Sequence, residues 1–276
     1  MGRMRAEELT TSGKRTGFRP SGVPDRQQSE QRMSALRPIT LVDQVVDAFI
    51  KAAAEGQILP GDRVVEADIA NELNVSRVPV REALRLLESQ GIVVNTPYRG
   101  MRLMEVDGKR LHQILTVRSS LEQLAVRGLK AAYRRHPGVL SEMEAALTEM
   151  KLAAQQQDAF ALARSDTAFH RALCRTGGND VLLQIWETLA RKLTIIFGLA
   201  ALREDIDWIY RDHVELFRLI KGAGIRAIDR ALHDHIVRYT EMVDFDAVIA
   251  QQRSKRGRPS IDPFDKPRSR LRQSAA

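Results

Sequence analysis

The sequence predicts a mainly α-helical chain: three helices and a β-hairpin forming a winged helix-turn-helix over residues 38–106, then an antiparallel helical bundle over residues 107–250. Three observations predict it. Apolar residues recur at helical spacing between Thr40 and Leu87, in three blocks cut by turn residues. Two short strand-like segments, 92–94 and 101–106, flank the turn-forming stretch Asn95-Thr96-Pro97-Tyr98-Arg99-Gly100. From 107 to 250 about six helical blocks follow one another with short breaks and no convincing strand, which implies antiparallel neighbours.

Each element has its own signal. Thr40 and Asp43 form a capping box ahead of Val42, Val45, Val46, Phe49, Ile50 and Ala53. Gly56 ends that helix, and Leu59-Pro60-Gly61-Asp62 makes a turn. Val65, Ile69, Ala70 and Leu73 mark a second short helix that Asn74 breaks. Ser76 is an N-cap for a third, whose Val80, Ala83, Leu84 and Leu87 face a core while Arg77, Arg81 and Arg85 recur on another face. Gly91 stops it before the hairpin. In the bundle, breaks fall at Pro137-Gly138, around Gln156, at Gly177-Gly178, near Arg203 to Asp205, and at Gly222-Ala223-Gly224. Asn179 reads as a helix N-cap.

Composition bounds the function. The chain has 276 residues, 43% hydrophobic, and no apolar run of the ~18 residues a membrane span needs. It lacks an apolar signal segment at the N-terminus, and its single cysteine, Cys174, forms no internal disulfide framework, so a cytoplasmic protein is expected, with no membrane partner. The net charge of +8 is concentrated at the ends: residues 1–37 carry +4 and residues 251–276 carry +6, both without apolar periodicity. These read as a disordered basic arm and a disordered basic tail. Met33, just before the first patterned segment, is an alternative start.

A helix that reads DNA lies in the major groove with its N-terminal residues at base edges, which calls for a short polar cap followed by long donors. Ser76, Arg77 and Arg81 meet that requirement, and Tyr98, Arg99 and Gly100 at the wing tip can reach the backbone or minor groove. The alternative is a solvated arginine face paired with Glu82 or Glu88. The stretch Ile69-Ala70-Asn71-Glu72-Leu73-Asn74-Val75-Ser76-Arg77-Val78-Pro79-Val80-Arg81-Glu82-Ala83-Leu84, with Pro60-Gly61-Asp62, Leu87-Glu88, Gly91 and Gly100, closely resembles the GntR family of bacterial regulators. The resemblance implies binding to operator DNA through Ser76, Arg77, Val78, Arg81 and the wing, usually as a repressor released by an effector. Val78 departs from the threonine the family usually carries, which leaves only apolar contact there, for instance with a thymine methyl.

In the bundle, Asp166 and His170 stand four apart on an inward face with Leu162, Phe169 and Leu173. His213 lies among Ile209, Leu216, Phe217 and Ile220, and His235 among Ile228, Ala231, Leu232 and Tyr239. Three inward imidazoles and a carboxylate suit a shared cation; three separate, hydrogen-bonded core histidines are the alternative. His112, His136 and His233 fall off these faces. Val117-Arg118-Ser119-Ser120-Leu121-Glu122, Asp166-Thr167-Ala168-Phe169-His170, Asp212-His213 and His235 resemble the FCD domain of FadR-type GntR regulators. That resemblance implies a bundle of six or seven helices, a Zn²⁺ or Ni²⁺ held by Asp166, His170, His213 and His235, a small organic-acid effector, and a homodimer. Imidazole-rich donors suit Zn, Ni or Fe alike. Arg118, on the inward stripe of Leu111, Leu115, Glu122 and Ala125, is the candidate for the effector's carboxylate, or else an ion-pair partner of Glu122.

Three rival functions stay open. An Asp-His₃ site can activate water in a metalloenzyme, although no general base beyond Glu122 is in view. An architectural protein would act through its tails, where Lys255-Arg256-Gly257-Arg258-Pro259 resembles a minor-groove hook. A metal-free regulator would take a larger acyl effector.

Overall fold

The computed structural model describes residues 40–203 and 205–256, with the side chains of residues 239–242 left aside. The expected arm over residues 1–37 and Gly257-Arg258-Pro259 of the tail lie outside the described residues.

Helix α1 (Leu41–Ala54) opens on the anticipated capping box: the Asp43 N–H donates to Thr40 Oγ1 and the Thr40 N–H to Asp43 Oδ2, both at 3.1 Å. Helices α2 (Glu66–Glu72) and α3 (Arg77–Ser89) are joined by a turn in which Asn74 sits at φ +53°. Val45, Val46, Phe49, Ala70, Val80, Ala83, Leu84 and Leu87 close one core between them. Strands β1 (Val93–Thr96) and β2 (Gly100–Leu103) form the wing, antiparallel, with Val93 opposite Leu103 and Thr96 opposite Gly100. The ladder sits closer to the tip than the sequence suggests. The turn closes tightly, Arg99 N–H to Thr96 O at 3.0 Å, with Tyr98 and Gly100 at positive φ, so Asn95, Thr96 and Gly100 are drawn into pairing.

Seven helices follow: α4 (Gly108–Arg135), α5 (Ser141–Gln156), α6 (Ala159–Thr176), α7 (Asp180–Ala201), α8 (Ile206–Gly222), α9 (Ile225–Met242) and α10 (Phe245–Lys255), with a 3₁₀ turn at Pro137–Leu140. The breaks read from the sequence all fall between helices. Asp107, Asp158, Asn179, Asp205 and Asp244 each cap the helix they precede, so Asn179 has the role expected of it. α6 packs between α5 and α7, and α4 lies along α9 and α6. At the α4–α6 crossing a Cβ on Gly128 would lie 1.9 Å from the Gly177 carbonyl oxygen, so only glycine permits that approach.

The winged helix-turn-helix packs on the bundle through α1 and α7. A Cβ on Gly198 would come within 2.6 Å of the Ala54 Cβ, which measures how close that packing is. Helix α10 adds a second tie and corrects the expected start of a disordered tail at residue 251, because the helix continues to Lys255. Residues 251–255 lack apolar periodicity, and tertiary contacts hold them instead. Arg253 Nη2 donates to Pro60 O at 2.8 Å, Arg256 Nη1 to Asp62 Oδ2 at 2.7 Å, and Arg256 Nη2 to the Gly56 carbonyl. Among the described residues no helix is long and apolar enough to cross a membrane.

Candidate metal centre and nucleic-acid interface

Four helices build the centre. The inward face of α6 projects Asp166 and His170, α8 projects His213, α9 projects His235, and α4 supplies Arg118 and Glu122 behind them. One donor atom from each of Asp166, His170, His213 and His235 lies within 4.8 Å of all the others. His170 Nε2 stands 3.3 Å from His213 Nε2 and 3.2 Å from His235 Nε2. Asp166 Oδ1 lies 2.9 Å from His213 Nε2 and 3.9 Å from His170 Nε2. The sequence named these four residues, and the fold brings all four together.

The outer nitrogen of every imidazole is already engaged. His213 Nδ1–H donates to the Ile209 carbonyl at 2.8 Å, His235 Nδ1–H to Asp212 Oδ2 at 2.6 Å, and His170 Nδ1–H to Glu122 Oε2 at 2.5 Å. These partners fix the tautomers, with the proton on Nδ1 and a lone pair on each inward Nε2. Glu122 accepts two more bonds at Oε1, from Arg118 Nε at 2.8 Å and Trp186 Nε1 at 3.0 Å. Glu122, Asp212 and Trp186 thus orient the site. The sequence placed Glu122 on the correct stripe without revealing this task, and Trp186, 64 residues away on α7, gave no local signal.

Electrostatics favours neutral rings at His170 and His235 and a charged Asp166. Burial, then the Arg118 guanidinium, holds His170 well below the ordinary imidazole value, and burial with the neighbouring His213 lowers His235. Burial pushes the Asp166 carboxyl up, but the Arg118 guanidinium and the adjoining His213 and His170 rings outweigh it, leaving Asp166 well below the usual carboxylate range. Burial raises the Glu122 carboxyl against the pull of Arg118.

A small cavity of about 20 Å³ opens beside the donors, walled by Arg118, Asp166, Phe197, Trp208, His213 and His235. Arg118 is buried, its guanidinium 5.0 Å from the Phe197 ring centre. Its Nη2 and Asp166 Oδ2 are both buried without a hydrogen-bond partner, 3.7 Å apart. Arg118 Nε is thus the ion-pair partner of Glu122, one of the two roles considered for it, while Nη2 is left without a hydrogen-bond acceptor.

In the helix-turn-helix, Ser76 occupies the N-cap position of α3, but its side chain makes no capping bond. Arg77, Tyr98 and Arg99 are exposed, Val78 is 61% exposed, and Gly100 is half-buried in the wing turn at φ +73°. Arg81 is not paired with Glu82 or Glu88, the partners considered from sequence. Its Nε and Nη2 donate in fork geometry to both carboxylate oxygens of Glu66, at 3.0 and 2.8 Å, across the turn between α2 and α3.

Comparison with known proteins agrees with this architecture. Residues 41–103 match the bacterial regulatory proteins of the gntR family, and residues 113–238 match the FCD domain. A probable D-xylose utilization operon transcriptional repressor of Paenarthrobacter nicotinovorans is 28% identical over 72% of this chain and 87% of its own. The gluconate operon transcriptional repressor of Bacillus licheniformis is 26% identical over 73% of this chain and 84% of its own. Among solved structures, McbR of Escherichia coli superposes with a TM-score of 0.58 at 22% identity, covering 78% of this chain and 99% of that one. A GntR regulator from Rhodococcus also reaches 0.58, at 21% identity over 77% of this chain and 97% of that one, and at such identities the likeness is one of fold. These relatives are regulators of transcription and not enzymes, which sets the metalloenzyme rival aside. The chain is a DNA-binding transcription regulator of the GntR family, of the FadR type, with a winged helix-turn-helix followed by an FCD domain.

Proposed function

We propose that the FCD bundle holds one divalent transition metal, zinc or nickel, through Asp166, His170, His213 and His235, and that a small organic acid reaching the metal and Arg118 modulates binding of a homodimer to operator DNA. One observation carries this: the inward Nε2 of His170 faces those of His213 and His235 at 3.3 and 3.2 Å, and each ring is fixed by an acceptor on its far side. Lone pairs so placed repel unless a cation lies among them. Metal–nitrogen bonds of about 2.1 Å place neighbouring donors roughly 3.0 Å apart at right angles and about 3.4 Å apart at tetrahedral angles, so the separations fit. The 3.9 Å between Asp166 and His170 exceeds both, which favours a wider coordination sphere with positions left for a ligand.

The metal would supply a Lewis-acidic anchor for a carboxylate. The chain supplies the rest: Arg118 Nη2 is the unpaired donor beside the cavity, while Phe197 and Trp208 wall it. A space of about 20 Å³ suits a compact acid, and a long acyl effector would require the walls to part. Relatives named for D-xylose and gluconate operons support a sugar-derived acid and a repressor role. DNA contact is assigned to Ser76, Arg77, Val78, Arg81, Tyr98, Arg99 and Gly100, which project from α3 and the wing. A dimer reads half-sites about one DNA turn apart, so a modest shift in head placement costs much affinity.

The test is metal content of the purified chain, wild type against His213→Ala, followed by a screen of sugar acids for release of operator DNA. About one zinc or nickel per chain, lost in the variant, is expected. A folded wild type that takes up neither metal refutes the metal half of the proposal.

A further inference from the structure

On the far side of α6 and α7 from the metal donors, a second and larger cavity of about 560 Å³ lies between the bundle and the helix-turn-helix. Helical spacing places Phe160, Arg164, Thr167 and Arg171 on one face of α6, and Gln184, Thr188, Arg191 and Thr194 on one face of α7. Helix α1 contributes Lys51, and the C-cap of α3 contributes Gln90. The volume falls in the range typical of metabolite pockets, roughly 300–1,000 Å³.

The charge of this cavity is unbalanced. Arg171 is spent, its guanidinium forked onto Glu187 at 2.7 and 3.1 Å. Lys51 lies 3.7 Å from Glu55, an exposed and weak pair, and Asp47 is the one remaining acid on the lining. Arg164 and Arg191 have no ion-pair partner among the described residues. Gln90 adds a buried side-chain oxygen with no hydrogen-bond donor facing it. Buried polar atoms are rarely left so.

We propose that this cavity is a second ligand site, distinct from the metal centre, for a small phosphorylated metabolite of sugar-phosphate size. Arg164, Arg191 and Lys51 take the phosphate dianion, which suits several separate cationic donors. Gln184 and the Thr188 hydroxyl, both exposed on the lining, meet sugar hydroxyls, which both donate and accept. The Phe160 ring supplies an apolar wall. Such a ligand touches the end of the DNA-reading helix and two bundle helices at once, so its binding ties head to bundle.

The test is calorimetric titration of the full chain with D-glucose 6-phosphate, inorganic phosphate and D-glucose, on wild type, Arg164→Ala/Arg191→Ala, Thr188→Glu and His213→Ala. The expected result is saturable binding of the sugar phosphate, weaker binding of phosphate and none of glucose. The double variant weakens it at least about tenfold, as loss of charge-assisted contacts to a phosphate does. Thr188→Glu, which sets a like charge into the same cavity from an exposed position, abolishes it independently of any effect of the double variant on folding. His213→Ala leaves it unchanged, which separates this site from the metal centre. No saturable binding, binding that survives both cavity variants, or binding lost in His213→Ala alone overturns the proposal. So does a sugar phosphate that binds no tighter than inorganic phosphate.

Discussion

Glu122→Gln is the sharpest perturbation of the candidate metal centre, because it changes one oxygen to a nitrogen and replaces none of the four donors. Glu122 accepts from His170, Arg118 and Trp186 while itself fully buried. The amide keeps the size and one acceptor but removes the charge. His170 then loses the carboxylate that holds its proton on Nδ1, and Arg118 keeps only Asp166 as a counter-charge, at 3.7 Å. Loss of a carboxylate partner behind a ligating imidazole typically costs 10- to 100-fold in metal affinity. That corresponds to about 1.4–2.7 kcal/mol. Stability falls further, by roughly 3–5 kcal/mol, because a buried guanidinium loses its nearest ion partner. Competition titration against a chromophoric zinc chelator reads the first quantity, and urea unfolding of the metal-stripped protein reads the second. Unchanged zinc affinity, with unchanged stability, would show that Glu122 neither sets the His170 tautomer nor compensates Arg118.

Further outcomes follow from the geometry. Zinc at a hundredfold excess over its dissociation constant stabilises the stripped protein by about 2.7 kcal/mol, read as a rise in Tm that His213→Ala abolishes. Gly198→Ala drives a Cβ to 2.6 Å from that of Ala54 and forces α1 from α7, costing about 1–3 kcal/mol in urea unfolding. Arg81→Ala lowers operator affinity by about 1–3 kcal/mol and relaxes discrimination at one base pair. Glu66→Gln, which releases the Arg81 fork without removing it, changes discrimination less than Arg81→Ala does; equal effects in an operator-variant binding panel would show that Arg81 acts only as a partner of Glu66.

The parts legible in the sequence are those written in local spacing. The capping box at Thr40 and Asp43, the core positions Val80, Ala83, Leu84 and Leu87, and the pairing of Asp166 with His170 each occupy a single helix, where periodicity speaks directly. His213 and His235 were legible because each interrupts an apolar face. The supports were not. Glu122 is one acid among many until Trp186 and His170 are brought to it from α7 and α6, and the fork from Arg81 to Glu66 spans a turn that helical spacing cannot bridge.

Helix α10 shows the same limit at the scale of an element. Gln251 to Lys255 carry no apolar pattern, so local reasoning assigns them to a solvated tail. What orders them is Asp62 on the helix-turn-helix, which stands 2.7 Å from Arg256 and 3.5 Å from Arg253 and also accepts from the Leu59 N–H. That carboxylate is distant in sequence and near only after α1 has docked on α7. Charge that looks surplus in the sequence is here a tie between two domains. The same helix follows directly on α9, which carries His235, so the chain passes from the candidate metal centre to contacts with the DNA-binding head. A change that moves α9 has a covalent and ionic path to Asp62 through Arg253 and Arg256.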